Sequence, residues 1–265
     1  MTPLGVGAGL AMPRLLDAIP PDDLARIGRD LDRVHLPAGR LLATAHDPPR
    51  RVYFPDTAVV AQSLAMGDGR TAGVGIVGSE GMIGAGAIAG PNAEAGTEAT
   101  VQVAGSGWTM MAERFRAAVR GSDPFRATLE RYLVVVMGQR AQTVACNRLH
   151  GLDERAARWL LLIHDRIEGD SFPLTQEAFA DLLGVSRPAV STVGAQLARA
   201  GAAEFRRGVV HVHDPRALEA ASCECVIADR DAFRPVSRHV AAGQPDRGAQ
   251  ERTLGVLRPQ IRRAR

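Results

Sequence analysis

Leu174-Thr-Gln-Glu-Ala-Phe-Ala-Asp-Leu-Leu-Gly-Val-Ser-Arg-Pro-Ala-Val-Ser-Thr-Val-Gly-Ala-Gln-Leu197 is the stretch that decides how this chain is read. Thr175 suits an N-cap, Phe179, Leu182 and Leu183 supply an apolar face, and Gly184 can take the left-handed conformation that ends a first helix sharply. Ser186 is placed to cap the next helix. Pro188 falls in that helix's first turn, where a missing N–H costs nothing, and Val190, Val193 and Leu197 continue the buried stripe. The spacing predicts a helix-turn-helix.

With the apolar residues inward, Arg187, Pro188, Ser191, Thr192 and Gln196 remain on the outer, N-terminal side of the second helix, the side that would meet base edges in a major groove. Thr175 and Gln176, at the start of the first helix, and the cap Ser186 join them as candidate DNA contacts. Downstream, Phe205-Arg-Arg-Gly-Val-Val-His-Val212 predicts two strands around an Arg-Gly turn, a wing on which Arg206 and Arg207 could reach phosphate. Over residues 186–207, Arg187, Arg199, Arg206 and Arg207 oppose only Glu204. That local positive surplus lies inside a segment, 153–228, which is otherwise acidic, with 8 Arg against 11 Asp and Glu.

Upstream, Ala156, Trp159, Leu160, Ile163 and Ile167 mark an amphipathic helix that breaks at Gly169-Asp170. Before it, a helix from Asp123 to about Leu149 has no Pro past its start, with Phe125, Leu129, Tyr132 or Leu133, Val136 and Thr143 at spacings of three and four. Such a helix is ~39 Å long, too long for one small domain to cover, so a self-paired seam and a dimer are expected; a core helix packed on its own domain is the alternative. Ala112 to Arg120 reads as a further helix. From Val34 to Met111 the apolar residues come in short bursts separated by Gly, Pro, Asp and Asn, and Asp68-Gly69 marks a hairpin. That pattern predicts a small barrel or jelly roll. Residues 13–31 read as short helices.

Composition narrows the function classes. The chain has 265 residues, 46% apolar and 23% charged, which fits a folded chain of two domains and a tail. Its formal charge of +3 arises mainly in residues 229–265, where 9 Arg face 4 acids. The pI therefore does not by itself argue for nucleic acid, and this stretch, poor in apolar periodicity, is expected to be a disordered basic tail. No window approaches the ~18 apolar residues of a membrane span, and no Lys or Arg precedes Arg14 to form a secretory n-region. The cytoplasm is the expected compartment.

The arrangement resembles the Crp/Fnr family of bacterial transcription regulators over roughly residues 15–228. Its specific parts are Leu174 to Leu197 with the following wing, and Gly78-Ser-Glu-Gly-Met-Ile-Gly84, similar to the Gly-rich turn of a cyclic-nucleotide-binding-type roll. The resemblance implies an α+β chain: a β-roll (jelly-roll) sensor domain over 13–121, a dimerisation helix and hinge over 122–150, and a winged helix-turn-helix over 151–228. It also implies binding of double-stranded DNA as a homodimer and, for an activator, RNA polymerase as a partner. Nucleotide-binding members place a Glu directly after the Gly matching Gly84 and an Arg-Ser pair at the start of the next strand; here Ala85 and approximately Thr97-Glu98 stand there. An anionic Glu98 would repel a phosphate, and no Arg lies between 71 and 113, which argues against cyclic AMP. A β-roll module whose winged domain makes protein contacts is the alternative.

Gly84-Ala-Gly86-Ala-Ile-Ala89 matches a dinucleotide fingerprint in form, but Gly90-Pro91-Asn92 stops the helix that would face a pyrophosphate. No G-x-S-x-G, Walker loop or H-E-x-x-H supports an enzyme, so no catalytic residue and no cofactor is expected. His211 and His213 share one face of a wing strand without a third ligand. Cys146 and His150, four apart on one helical face, could form a Cys3His set with Cys223 and Cys225 if the two segments met. Packing thiols are the simpler expectation, and no metal is assigned.

Overall fold

A computed structural model describes residues 12–232 of the chain. Two short helices open it, α1 (Arg14–Asp17) and α2 (Pro21–Ile27), the second started by Pro21 with Asp22 and Asp23 in its first turn. Seven strands follow: β1 (Asp32–Leu36), β2 (Leu41–Ala43), β3 (Arg51–Pro55), β4 (Val59–Ala65), β5 (Thr71–Val77), β6 (Glu98–Val103) and β7 (Gly105–Met111). They form two antiparallel sheets, β1-β7-β3 and β2-β6-β4-β5, enclosing Leu36, Tyr53, Val60, Val77, Ile83, Ala99 and Val101. The expected roll is present. The Asp68-Gly69 hairpin is present as well, with Gly67, Asp68 and Gly69 between Met66 and Arg70 and only Gly69 at positive φ (84°). One left-handed residue is what a three-residue hairpin loop requires.

Helix α3 (Ala112–Arg120) leads into α4 (Asp123–Leu149), whose N-cap Ser122 accepts from the Phe125 N–H at 3.2 Å. Phe125 meets Phe115 edge-on at 5.9 Å, and Phe115 lies 6.2 Å from Phe54 of β3. Phe125, Leu129, Tyr132 and Thr143 are all buried against the chain's own body. The stripe expected to be the self-paired seam is therefore the inner face of α4. The outward face carries Val134, Met137, Ala141 and Val144, with Val134, Met137 and Val144 exposed by 69%, 71% and 71%.

The C-terminal part comprises α5 (Leu152–His164), β8 (Ser171–Pro173), α6 (Gln176–Leu183), α7 (Arg187–Arg199), β9 (Ala203–Arg206), β10 (Val209–Val212), α8 (Pro215–Ala220) and α9 (Cys225–Ala232). Its sheet runs β8-β10-β9, one strand more than the sequence pattern suggested. Trp159, Phe172, Phe179, Val190, Leu197 and Val210 form its core, which is continuous with Val59, Ala61 and Ile76 of the roll. At Gly73 of β5 a Cβ would stand 2.7 Å from the Leu182 carbonyl oxygen and 2.8 Å from the Trp159 ring. Glycine lets the helix-turn-helix press directly on the roll.

The boundary of the expected tail falls inside a helix. Asp229 is buried in α9 and accepts from Arg158 of α5 at 2.7 Å, so residues 229–232 belong to the folded body. A buried guanidinium without that carboxylate would be uncompensated, which is why the helix continues past 228. Residues 233–265 of the expected tail lie outside the described residues. No helix among the described residues is long and apolar enough to cross a membrane.

Candidate nucleic-acid interface

The first helix of the motif begins as its sequence requires: Thr175 Oγ1 accepts from the Ala178 N–H at 3.1 Å. Gly184 ends that helix at φ 66°, and the Val185 N–H closes the turn on the Ala180 carbonyl at 3.0 Å. Ser186 occupies the N-cap position of α7, but its side chain makes no cap hydrogen bond. Its hydroxyl stays exposed to solvent. Pro188 sits in the first turn, and Val190, Val193 and Leu197 are buried as expected. Gly194 leaves α7 flush on β9, since a Cβ there would stand 3.3 Å from the Phe205 ring.

Gln176, Arg187, Pro188, Ser191 and Thr192 line one shallow groove together with Ala195 and Arg199. Arg187, Ser191, Gln196, Arg206 and Arg207 are exposed and, among the described residues, have no side-chain partner. Thr192 differs: its hydroxyl donates to the Pro188 carbonyl at 3.1 Å, leaving an acceptor and a methyl for an outside partner. At the wing, Arg207 (φ 50°) and Gly208 (φ 79°) are the two central residues of a turn that pairs Arg206 with Val209. Two positive φ angles make the hairpin turn whose twist matches its strands. The turn lies beside the start of α6, where a Cβ on Gly208 would meet Thr175 Cγ2 at 3.5 Å. Of the two wing histidines, His211 shares a 2.8 Å hydrogen bond with Ser171 Oγ, and His213 stands 3.5 Å from Glu204. Both are spoken for by structural partners.

In the roll, Gly84 (φ 86°) ends the Gly-rich turn and Ala85 begins a short 3-10 helix, Ala85–Ile88. Thr97 Oγ1 accepts from Gln62 Nε2 at 3.4 Å, and Glu98 opens β6. Gln62 in turn accepts from Arg140, a cation the sequence count over 71–113 could not reveal because α4 delivers it. Tyr132, also on α4, receives the Met82 N–H at 3.0 Å and donates to the Met82 carbonyl at 3.3 Å, and burial pushes its phenol up to about 12. Glu80 ties the same turn to the N-terminal helix α1 and to the C-terminal part, accepting from Arg14 at 3.3 Å and from Arg166, beyond α5, at 2.8 Å. Burial acts to raise its carboxyl, but the Arg166 charge and the Gly78 N–H outweigh that and hold it below the usual glutamate range.

Cys146, His150, Cys223 and Cys225 come together, although the two segments are distant in the sequence. Their ligand atoms all lie within 4.8 Å of one another at the junction of α4 with α9.

A roll, a long helix and a winged helix-turn-helix in this order define the fold of Crp/Fnr-type regulators, and residues 154–221 match the family model of the Crp-like helix-turn-helix domain. The solved structure of a Crp/Fnr-family transcriptional regulator from Eubacterium rectale is similar at TM-score 0.61 and 15% identity, covering 82% of this chain and 97% of that one. FixK2 of Bradyrhizobium japonicum is similar at TM-score 0.60 and 16% identity, covering 73% of this chain and 98% of that one. The CRP-family regulator TTHB099 of Thermus thermophilus reaches TM-score 0.57 and 21% identity, covering 72% and 96%. No curated protein matches the chain. The resemblance read from the helix-turn-helix and the Gly-rich turn is borne out, as is the roll, long helix and winged-domain architecture.

Proposed function

We propose that this chain is a sequence-specific transcription regulator acting in the cytoplasm as a twofold dimer on inverted-repeat DNA, without cyclic AMP as its signal. The observation that carries the reading is the solvent-facing side of α7: Arg187, Ser191 and Gln196 are exposed and unpaired beside the two arginines of the wing. Side chains held ready on the N-terminal part of such a helix suit base edges, and wing arginines suit phosphate. The dimer reading rests on Val134, Met137, Ala141 and Val144, which recur at intervals of three and four along the outer face of α4, the spacing of a two-helix seam. Two second helices related by that seam would enter successive major grooves about 34 Å apart. An activating output would add RNA polymerase as a partner.

For the sensor, Ala85 offers no carboxylate for a ribose hydroxyl, and Glu98 brings a negative charge where a cyclic phosphate would need a cation. Calorimetry with cyclic AMP is expected to give no binding at micromolar concentrations, and micromolar affinity would overturn this part. The DNA reading is tested by sequencing fragments recovered with the purified protein, then titrating a recovered duplex and a scrambled one across salt concentrations. Preference for the recovered duplex with a falling log-log salt dependence is expected. Equal affinity for both duplexes at every salt contradicts sequence-specific readout, and no salt-dependent DNA binding at all favours a winged domain that contacts protein.

A further inference from the structure

We propose that Cys146, His150, Cys223 and Cys225 bind one zinc ion, which fastens the end of the long helix to the segment that follows the winged domain. The four residues supply three thiol sulfurs and one imidazole nitrogen, a donor set common in structural zinc sites. Tetrahedral zinc with bonds of about 2.3 Å to sulfur and about 2.0 Å to nitrogen places its sulfur ligands about 3.8 Å apart and a sulfur–nitrogen pair about 3.6 Å apart. Cys146 Sγ and Cys223 Sγ are 3.6 Å apart, and Cys225 Sγ lies 3.5 Å from His150 Nδ1. These two pairs are already at coordination spacing, and all four ligand atoms lie within 4.8 Å of one another.

The surroundings have the form of outer-shell support for a metal. His150 turns Nδ1 to the sulfurs and Nε2 to Glu224 Oε2 at 3.3 Å, the carboxylate–histidine arrangement that fixes the ring of a zinc ligand. Gln142 Nε2 donates to Cys225 Sγ at 2.9 Å, a contact that favours a thiolate. Thiols packed only as small apolar groups require neither contact. All three sulfurs are buried, and Glu224 is exposed, so the site is closed on the protein side and supported from the solvent side. The site needs both segments, one from each side of the winged domain.

The test uses the full chain, purified without chelator from cells supplied with zinc. Elemental analysis is expected to find about one zinc per chain, and X-ray absorption to find three sulfurs at about 2.3 Å and one nitrogen at about 2.0 Å. Cys223→Ser should lose the ion. Because that variant could misfold, Glu224→Gln provides the second arm: an exposed change that should keep the fold by circular dichroism while weakening zinc affinity about 10- to 100-fold in competition with a chromophoric chelator. A folded, metal-free wild-type chain would overturn the proposal. So would iron with inorganic sulfide in place of zinc, or a Cys146–Cys223 disulfide in protein isolated under reducing conditions.

Discussion

Arg187 and Arg206 carry the same charge but would meet DNA at different depths. Arg187 stands at the start of α7 in the groove with Ser191 and Gln176, whereas Arg206 ends β9 at the wing. In the proposed complex, Arg187→Ala is expected to cost about 1–3 kcal/mol and to relax preference at one base pair per half-site. Arg206→Ala should weaken all duplexes alike and reduce the salt slope by about 1. Fluorescence anisotropy with a specific and a scrambled duplex at several salt concentrations separates the two outcomes. Thr192 has its hydroxyl proton committed to Pro188, so a contact there would come from its methyl or a lone pair. At this scale the sequence was legible wherever backbone geometry dictates the residue: the Thr175 cap, Gly184 and the Arg207-Gly208 turn stand where their chemistry put them. Arg140 was not legible from the roll's own residues, because its approach to Gln62 is a tertiary contact made by a distant helix.

Helix α4 shows how one periodicity can hide another. Phe125, Leu129 and Tyr132 have the bulk that catches attention, yet with Thr143 they face the chain's own core; Val134, Met137, Ala141 and Val144 face outward. An apolar stripe in a sequence states that a face is buried, not against what. Met137→Glu places a charge on the outer stripe without entering the core, so the subunit fold should change by less than about 0.5 kcal/mol. The dimer should dissociate, and sedimentation velocity of the two proteins at equal concentration reads the difference. Helix ends were legible to within a residue for α3 and α4, because the Ser122 cap and the following Asp123-Pro124 mark the start of α4 chemically. Strand β8 was not, since three residues with only Phe172 buried are too few to show a period of two.

Across the whole molecule, the order of parts was legible and their mutual packing was not, because periodicity is local while the contact of Gly73 with Leu182 and Trp159 joins surfaces from opposite ends of the chain. The buried Glu80 couples those parts to pH. Its carboxyl titrates below the ordinary value of 4.5 in the folded chain, so the stability it contributes is present above that value and is lost as pH falls through the lowered one. Glu80→Gln leaves Arg166 without a charged partner and should destabilise the chain by about 3 kcal/mol at pH 7. The variant should also lose part of the wild type's decline in acid; denaturant melts at pH 7 and pH 4 check both statements.

The return of α9 to α4 has a thermodynamic consequence. With Cys223 against Cys146 and Cys225 against Gln142, the winged domain is a closed loop of chain pinned at both ends to one rod. Its melting and that of the roll should then be a single cooperative event, since neither can open without breaking the shared anchor. A chain cut after Ala221, just past the end of α8, keeps every element of the reading head but severs one pin. Scanning calorimetry is expected to resolve two transitions in the shortened chain, the winged domain melting first, where the full chain gives one.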